Sequence, residues 1–570
     1  MSVSETFDTI IVGAGSSGCV LANRLSADPS HRVLLIEAGP PDKNPMIGMP
    51  KGFGALMPDP RHTWVYTTEP EEGTAGRPEH WVRGKTLGGS SSINGMIYVR
   101  GQPQDYDFWE QELGLEGWGW KDIGAAFRAI EDHELGDDGV RGVGGALKVG
   151  PSPAKHPVLD AMLAAGEEIG IPVKRDQSGL DQHGMGYAIH TIKNGRRQSA
   201  ARAFLHPVLG RTNLKVLTHT MVQRVLFSPA PEAQRVTGVE VADAKGVPLA
   251  EYQACSEVIL CAGALESPAI LQRSGIGPQA LLQSLGIAVK VVAPGVGQNL
   301  REQRLLFLQH RVKRGGSYNK EFSGLRLARN LLQYLFTRRG VMSTGSQDLN
   351  GFLKSRPDLG APDLQVHAAP FSLAFEEDKP GLPALESGDG AHMLVYPMKP
   401  SSQGSVQIRS ATLGAPLVVR PNYLSTLQDR QTSIAALRLV RKLFAQPALQ
   451  AVVAEETFPG VKVQSDEQIL DYFRRFGSTT YHAVGTCKMG GDDDALAVVD
   501  NRLRVRGVEA LRVVDISVFP TQVSGNTNGP AMAAAWRAAD LILEERTQRQ
   551  QSLCGKGTSV LASSRVPRLG

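Results

Sequence analysis

Between a β-branched run and an apolar run at helical spacing, the chain carries three glycines, Gly13, Gly15 and Gly18. The flanks are Asp8-Thr-Ile-Ile-Val12 and Cys19-Val-Leu-Ala-Asn-Arg-Leu-Ser26, and a second apolar run, Arg32-Val-Leu-Leu-Ile-Glu37, ends in an acid. Strand, glycine turn, helix and strand make one unit of a parallel sheet, and Asp28-Pro29 closes its helix. Each glycine has a mechanical task. Gly13 permits the tight turn off the strand, Gly15 lets backbone approach a pyrophosphate, and Gly18 lets helix and strand pack closely. The helix N-terminus, with Ser16 and Ser17 in its first turn, presents free N–H groups to phosphates. Glu37, followed by Ala38, stands where a carboxylate accepts hydrogen bonds from ribose hydroxyls. The expectation is a bound dinucleotide, and the motif alone does not separate FAD from NAD.

The rest of the chain frames this unit. Its 570 residues suffice for two domains, and 41% hydrophobic with 21% charged residues is ordinary globular composition. The net charge of +4 is spread along the chain, with no basic run interleaved with aromatics, so no nucleic-acid partner is expected. No window reaches the roughly 18 apolar residues of a membrane span, and the first apolar stretch, Thr9 to Val12, is too short for a secretion signal. A cytoplasmic protein is expected, with peripheral contact on the inner face of a membrane left open. Five cysteines (Cys19, Cys255, Cys261, Cys487, Cys554) make no C-x-x-C pair. They read as reduced core residues, and no metal site is expected.

Glycine-rich loops return at 84–101, 262–277 and 477–545, and stop between about 303 and 473, where strand alternation (392–396, 405–409) and a helix (429–444) replace them. Helices are also expected over 118–133, 196–209 and 530–546, and strands within 213–227 and 236–260. The fold class is α/β, with a Rossmann-like cofactor domain assembled from 5–154, 191–302 and 475–546. A substrate domain of α+β type, built on an antiparallel sheet, is inserted as 155–190 and 303–474. The polar tail 547–570 is expected to be disordered.

Four segments narrow the chemistry. They are Gly84-Lys-Thr-Leu-Gly-Gly-Ser-Ser-Ser-Ile-Asn-Gly-Met-Ile-Tyr-Val-Arg-Gly101, Gly263-Ala-Leu-Glu-Ser-Pro-Ala-Ile-Leu-Gln-Arg-Ser-Gly-Ile-Gly277, Tyr481-His-Ala-Val-Gly-Thr-Cys-Lys-Met-Gly490, and Leu511-Arg-Val-Val-Asp-Ile-Ser-Val-Phe-Pro520 with Gly525-Asn-Thr-Asn-Gly-Pro530. In this order they resemble the signatures of the glucose–methanol–choline (GMC) flavin oxidoreductases, in particular the branch with bacterial choline and alcohol dehydrogenases. The resemblance implies FAD. It implies flavin contacts at Asn94, Gly95, Met96 and Ile97, further cofactor contacts at Leu87 and Gly88, an adenine contact at Val222, and a ribityl–pyrophosphate contact at Asp515; physically, Gly88-Gly89 can bring backbone amides close to phosphate or flavin. Some members tether FAD through a histidine just before the asparagine. Here that position is Ile93, so the expectation is non-covalent FAD.

The same resemblance makes His482 the base for a primary alcohol, which is oxidised to the aldehyde by hydride transfer to flavin N5. An imidazole suits that task because it titrates near neutral pH. Asn526, itself near the flavin, donates its amide to the substrate oxygen, while Asn528 reads as a turn or flavin-edge residue. One segment departs from the family pattern. Asn299-Leu-Arg-Glu-Gln303 keeps an acid at Glu302 but has Gln303 where relatives have histidine, a change expected to alter the floor of the substrate cavity.

A quaternary ammonium would need an aromatic cage, for which Trp64, Tyr66 and Tyr481 are the candidates. Val366, His367, Phe371 and Phe375 read instead as an apolar cavity with one polar group. The reading leans to a neutral alcohol, aliphatic or aromatic, with choline oxidation as the alternative. A non-redox relative such as a hydroxynitrile lyase, or a scaffold using FAD structurally, is the rival class. The electron acceptor (quinone, dye or oxygen) and the oligomeric state are left open.

Overall fold

The computed structural model describes residues 5–229, 234–243, 245–376 and 383–561. Strand Thr6–Val12 lies between strands Val33–Ile36 and Pro248–Leu260, parallel to both. Leu214–Leu217 extends the sheet in parallel on one side, beside Val33–Ile36. On the other side, Pro248–Leu260 is long enough to serve two partners. Its first half pairs antiparallel with Val236–Ala242, and its last residues pair parallel with Leu511–Val513. Met221–Phe227 closes the order as an antiparallel edge strand. Val33–Ile36 is buried at all four positions, as a parallel strand covered on both faces requires.

Helix Ser16–Leu25 follows the glycine turn and packs against helix Asn528–Leu561. Seven of its ten residues are buried. The sequence thus brings its two ends together: the chain's first helix and its last share one core cluster, with Val20, Leu21, Ala535 and Ala539 among its members.

The inserted unit is a second, antiparallel sheet in the order Leu349–Leu353, Leu364–Ala369, Gly390–Pro397, Arg304–Val312, Val453–Phe458. Its central strand Gly390–Pro397 is buried along its whole length. Helix Leu427–Phe444 covers one face, its start capped by Thr426, whose hydroxyl accepts from the Asp429 N–H. Helix Pro157–Glu168 joins the same apolar core through Val158, Leu159 and Met162. Ser478–Thr479 pairs with the start of Arg304–Val312, so the sheet edge leads directly to the segment carrying His482.

Four local expectations change. The helix expected over 196–209 begins instead with a tight hairpin. Asn194 and Gly195 both adopt positive φ (50° and 68°) between strands Ile192–Lys193 and Arg196–Arg197, which is the Asn-Gly hairpin turn. Only a single turn, Ala201–Leu205, then winds before Pro207. The helix at 118–133 is Trp120–Ile130, and Glu131–His133 pairs with Leu147–Pro151. Helix Asn528–Leu561 continues beyond the expected end at 546 into the supposedly disordered tail; 562–570 lie outside the described residues. Cys19, Cys261 and Cys487 are buried, but Cys255 is exposed, on the outward alternation of its strand. Among the described residues no helix is long and apolar enough to cross a membrane.

Candidate active site

The first turn of helix Ser16–Leu25 needs its glycines for close approach. Gly13 has φ near 100°, and a Cβ there would sit 2.5 Å from the Cys261 carbonyl oxygen. A Cβ on Gly18 would sit 1.9 Å from the Gly13 carbonyl oxygen. Gly15, by contrast, faces open space, on the wall of a cavity of about 440 Å³ that runs between the two sheets. Three helix N-termini reach this wall, at Ser16, Gly263 and Asn528. Ser16 Oγ donates to Asn528 Oδ1 at 2.7 Å and ties two of them together. Convergent helix N-termini offer unpaired N–H groups and positive dipole ends, the environment of a pyrophosphate.

Glu37 ends strand Val33–Ile36 and turns its carboxylate into the same wall. Its oxygens accept one backbone N–H each, from Ala14 and Gly39, both at 2.9 Å. Burial pushes this carboxyl up to about 7, against the pull of those two N–H groups. Each oxygen keeps a second lone pair for ribose hydroxyls, which are donors a buried carboxylate lacks otherwise. Val222 stands close by in the chain, after Thr220, whose N–H donates to the Glu37 carbonyl. Asp515 accepts from Gly263 N–H (2.8 Å) and Ser267 Oγ (2.6 Å) on one oxygen and from Ser517 N–H (2.8 Å) on the other. It pins the glycine turn of helix Gly263–Arg273 to the C-terminal segment, and burial raises its carboxyl above the ordinary range.

Asn94, Gly95, Met96 and Ile97 line the cavity farther along. Asn94 Oδ1 accepts from Arg197 Nη1 at 2.6 Å and from Met96 N–H at 3.1 Å. Its carbonyl is committed, and its amide N–H₂ is the group it can offer. Met96 adopts φ 64°, a left-handed backbone that a non-glycine residue holds only under constraint. A Cβ on Gly95 would meet Ser346 Oγ at 2.1 Å. Ile93 also lines the cavity, and packs against Ile47 and Leu56.

At the far end stand His482 and Asn526. Tyr481, just before the histidine, has φ 64°, and Gly525, just before the asparagine, has φ 108°. A Cβ on Gly525 would lie 2.8 Å from Gln365 Oε1, so glycine is what lets Asn526 approach the inserted sheet. Asn526 Nδ2 is 3.1 Å from His482 Nε2. His482 Nδ1 is 2.7 Å from Gln303 Oε1.

The partners assign the protons. Gln303 Nε2 donates to the Met398 carbonyl at 2.6 Å, so its Oε1 faces His482 and accepts from Nδ1–H. His482 therefore carries its proton on Nδ1 and presents a bare Nε2. On the other side, Gln365 Nε2 donates to Asn526 Oδ1 at 3.0 Å, which turns the Asn526 N–H₂ toward that Nε2. Gln365 Oε1 in turn accepts from Tyr396 O–H at 2.5 Å, and the Tyr396 oxygen lies 3.1 Å from His367 Nε2. Since the Tyr396 proton is used, His367 donates. One directed chain thus runs from His367 through Tyr396, Gln365, Asn526, His482 and Gln303 to the Met398 carbonyl. Burial, with Arg83 second, pushes the His482 imidazole down to about 3, and burial does the same to His367. Both are neutral at physiological pH.

The backbone of His482 is fixed separately. Glu302 is buried, and its Oε1 accepts from the His482 N–H (3.1 Å) and Thr480 Oγ1 (2.6 Å). Arg83 lies 3.8 Å from the other oxygen, and Gln522 Nε2 donates to the His482 carbonyl at 3.1 Å.

The cavity wall therefore gathers Gly13, Gly15, Ser16, Ser17, Glu37, Ala38, Asn94, Gly95, Met96, Ile97, Val222, Asp515, His482 and Asn526 from segments far apart in the chain. Gly18, Leu87 and Gly88 stand behind it. Gly88 N–H donates to the Ala14 carbonyl at 2.8 Å, and Gly89 beside it presses on the turn, where a Cβ would meet Gly15 Cα at 2.7 Å. Gln303 is not part of the cavity floor as the sequence suggested; it lies behind His482. Of the four residues proposed for the substrate wall, His367 reaches it. Phe371 packs on His392 and Phe375 stacks on Phe458, both half-buried and away from the cavity wall, and Val366 is buried among apolar neighbours.

Sequence reading missed Gln365, Tyr396 and Arg83. Gln365 and Tyr396 carry no motif; they are cross-strand partners in the inserted sheet, and only strand register brings them together. Arg83 precedes the glycine-rich segment by one residue and could have been found there.

The chain is also similar to known proteins. Two family models, both described as GMC oxidoreductase, match residues 7–304 and 400–535. The human mitochondrial choline dehydrogenase is 40% identical over 545 residues, covering 94% of this chain and 90% of its own. An alcohol dehydrogenase (acceptor) of Pseudomonas putida is 39% identical over 541 residues, covering 95% and 96%. Among solved structures, pyridoxine 4-oxidase from Mesorbium loti superposes with a TM-score of 0.83 at 34% identity, covering 94% of this chain and 98% of its own.

Proposed function

This chain belongs to the GMC oxidoreductase family, and on that premise we propose that it oxidises a neutral primary alcohol to the aldehyde, with His482 as base and Asn526 as hydrogen-bond donor. It is an FAD-dependent oxidoreductase acting on CH–OH donors. FAD, when bound, supplies the acceptor for the carbinol hydride, at flavin N5. The adenosine and pyrophosphate would be held by Glu37, Val222 and the three helix N-termini, and the flavin by Asn94 to Ile97. Non-covalent attachment follows from Ile93, whose side chain has no nucleophile; flavin remaining on acid-precipitated protein would refute it.

The observation that carries the reading is the pairing of a bare His482 Nε2 with an Asn526 N–H₂ 3.1 Å away. A hydroxyl entering between them displaces the amide from Nε2, donates its proton to that nitrogen and accepts from the freed amide N–H. Negative charge developing on that oxygen is stabilised by the amide as the proton leaves. The proton rests on His482 as an imidazolium. The buried setting opposes that charge, and the Gln303 carbonyl, already on Nδ1–H, strengthens its bond to offset part of the cost.

The wall composition supports a neutral substrate. Leu305, Leu394, Phe53, Met57 and Tyr396 are apolar or neutral, and the cavity's carboxylates, Glu37, Glu266 and Asp515, are each engaged by backbone or side-chain donors. Of the three aromatic candidates for a quaternary-ammonium cage, two already carry cations, and the hydroxyl of the third, Tyr66, donates to Glu266. Lys85 lies over Trp64 at 4.1 Å and Arg83 near Tyr481 at 6.0 Å. Choline oxidation is the second reading, favoured by the 40% identity to a choline dehydrogenase.

Anaerobic addition of an alcohol, followed by flavin absorbance, tests the redox chemistry: bleaching is expected, and its absence with every alcohol overturns the reading. Comparing rates on medium-chain and benzylic alcohols with choline tests the substrate, and preference for choline overturns the neutral-alcohol reading. Oxygen, a quinone or a dye serves as acceptor, distinguished by peroxide formation in air. The reading also includes peripheral contact with the inner face of a membrane.

A further inference from the structure

Helix Gly324–Thr337 is amphipathic twice over. Its inner face is firmly seated: Leu327, Leu331 and Tyr334 pack with Met49 and Met342, and Tyr334 O–H reaches the Gly195 carbonyl at 2.9 Å. Its outer face is apolar and uncovered. Leu325 is 90% exposed, Phe336 85%, and Leu332 and Leu335 56% each. Residues 325, 332 and 336 fall on one side of a helix of 3.6 residues per turn. Four large apolar side chains in about three turns form a patch of the kind that marks an interaction surface.

The charge around it is one-sided. Between 324 and 339 the chain has Arg326, Arg329, Arg338 and Arg339 and no acid. Arg326 and Arg329 are 56% and 70% exposed; both reach back to Glu321, at 3.1 and 3.2 Å, and this single carboxylate serves two guanidiniums. Arg338 lies over the Tyr334 ring, and Arg339 is exposed.

We propose that this helix docks the protein on a membrane surface containing anionic lipid, with Leu325, Leu332 and Phe336 entering the headgroup boundary and the arginines bound to lipid phosphates. An apolar stripe flanked by arginines is what such a surface selects: burial supplies the stripe's share and the negative leaflet attracts the rim. A second copy is the less favourable cover, because a twofold contact through this helix sets Arg329 and its neighbours against their own images.

The placement bears on the substrate. The inner face of the helix rests on the segment around Met49, and the turns that follow it, Phe53 to Met57, supply two residues of the cavity wall. A docked helix brings that wall toward the lipid, the phase in which a lipophilic alcohol concentrates. The inference rests on the peripheral-contact reading and not on the alcohol chemistry, so the two fail separately.

The test is co-sedimentation of the holoenzyme with phosphatidylcholine vesicles, with and without phosphatidylglycerol. Binding is expected only with phosphatidylglycerol and weakens with salt. The pair Leu325→Ser, Phe336→Ser abolishes it, and Arg326→Gln, Arg329→Gln lowers the partition coefficient by roughly fivefold per arginine, while alcohol-driven flavin bleaching stays at the wild-type rate in both. Equal sedimentation of wild type and variants, no sedimentation of the wild type, or a dimer by light scattering that the serine pair dissolves would each overturn the proposal. Loss of bleaching in the wild type would strike the alcohol reading alone.

Discussion

Gln303 Oε1 accepts the Nδ1–H of His482 at 2.7 Å, and the other end of the same amide is held by the Met398 carbonyl at 2.6 Å. A carboxamide clamped at both ends can only accept here, so it selects one histidine tautomer. It does so without bringing a negative charge beside the base, and that distinguishes it from a carboxylate partner, which would favour imidazolium.

Gln303→Leu removes the acceptor and frees the ring to flip or change tautomer. Turnover falls tenfold or more, within the roughly 10²–10⁴-fold that general acid–base catalysis supplies, with flavin content unchanged. Gln303→Glu places a carboxylate against Nδ1 and raises the His482 pKa, so an acid limb appears in the pH profile of kcat/KM that the wild type lacks. Arg83, Glu302, His367, Tyr396 and Tyr481 also face this histidine, and they are common to both enzymes. An unchanged profile in the glutamate variant shows that Gln303 does not set the protonation of His482.

His482→Ala removes the proton acceptor. Turnover is expected to fall by about 10²–10⁴-fold while FAD stays bound, because His482 lies far along the wall from Gly13 and Glu37. Stopped-flow reduction of the flavin by alcohol measures this. Near-normal reduction ends the assignment.

Gly89→Ala tests the nucleotide end. A Cβ would lie 2.7 Å from Gly15 Cα, and the φ of 52° adds strain. The turn must shift, at a cost of about 1–3 kcal/mol, and flavin occupancy after gel filtration drops. Full occupancy with an unchanged melting temperature would show that the contact is not needed.

Buried histidines predict acid sensitivity. His482 and His367 are pushed by burial to about 3, and His190, His310 and His392 to about 4. Each folded value lies below the unfolded one of about 6.5, so as pH falls the unfolded chain takes up protons first. The stability they contribute is whole above about 6.5 and is lost progressively down to about 3. Melting temperature measured across this window should fall as pH falls. A flat curve would mean these rings are protonated in the folded protein.

The glycine turn and its acid were legible because the pyrophosphate demands a local geometry that local residues alone can build. Gly13, Gly15, Gly18 and Glu37 lie within one strand–helix–strand unit, so the sequence by itself determined that unit, and the later motifs determined the family and the flavin. His482 and Asn526 were legible for the same reason, each lying in a motif. The tautomer and the amide direction that suit them to the proposed roles of base and donor were not legible. Gln365 and Tyr396 are ordinary-looking strand residues until pairing sets them opposite each other, and Gln303 looked like a loss until its amide was seen behind the imidazole. Even the Asn194-Gly195 turn was passed over, since helical spacing in the residues after it masked a two-residue signal. Hydrogen-bond direction depends on which groups meet across strands and between sheets, and these partners are separated by tens to hundreds of residues. The sequence determined which reactive groups the protein has and the local turns that expose them. The tertiary structure decided their protonation and orientation, because a buried imidazole takes its proton from the partners that burial forces upon it.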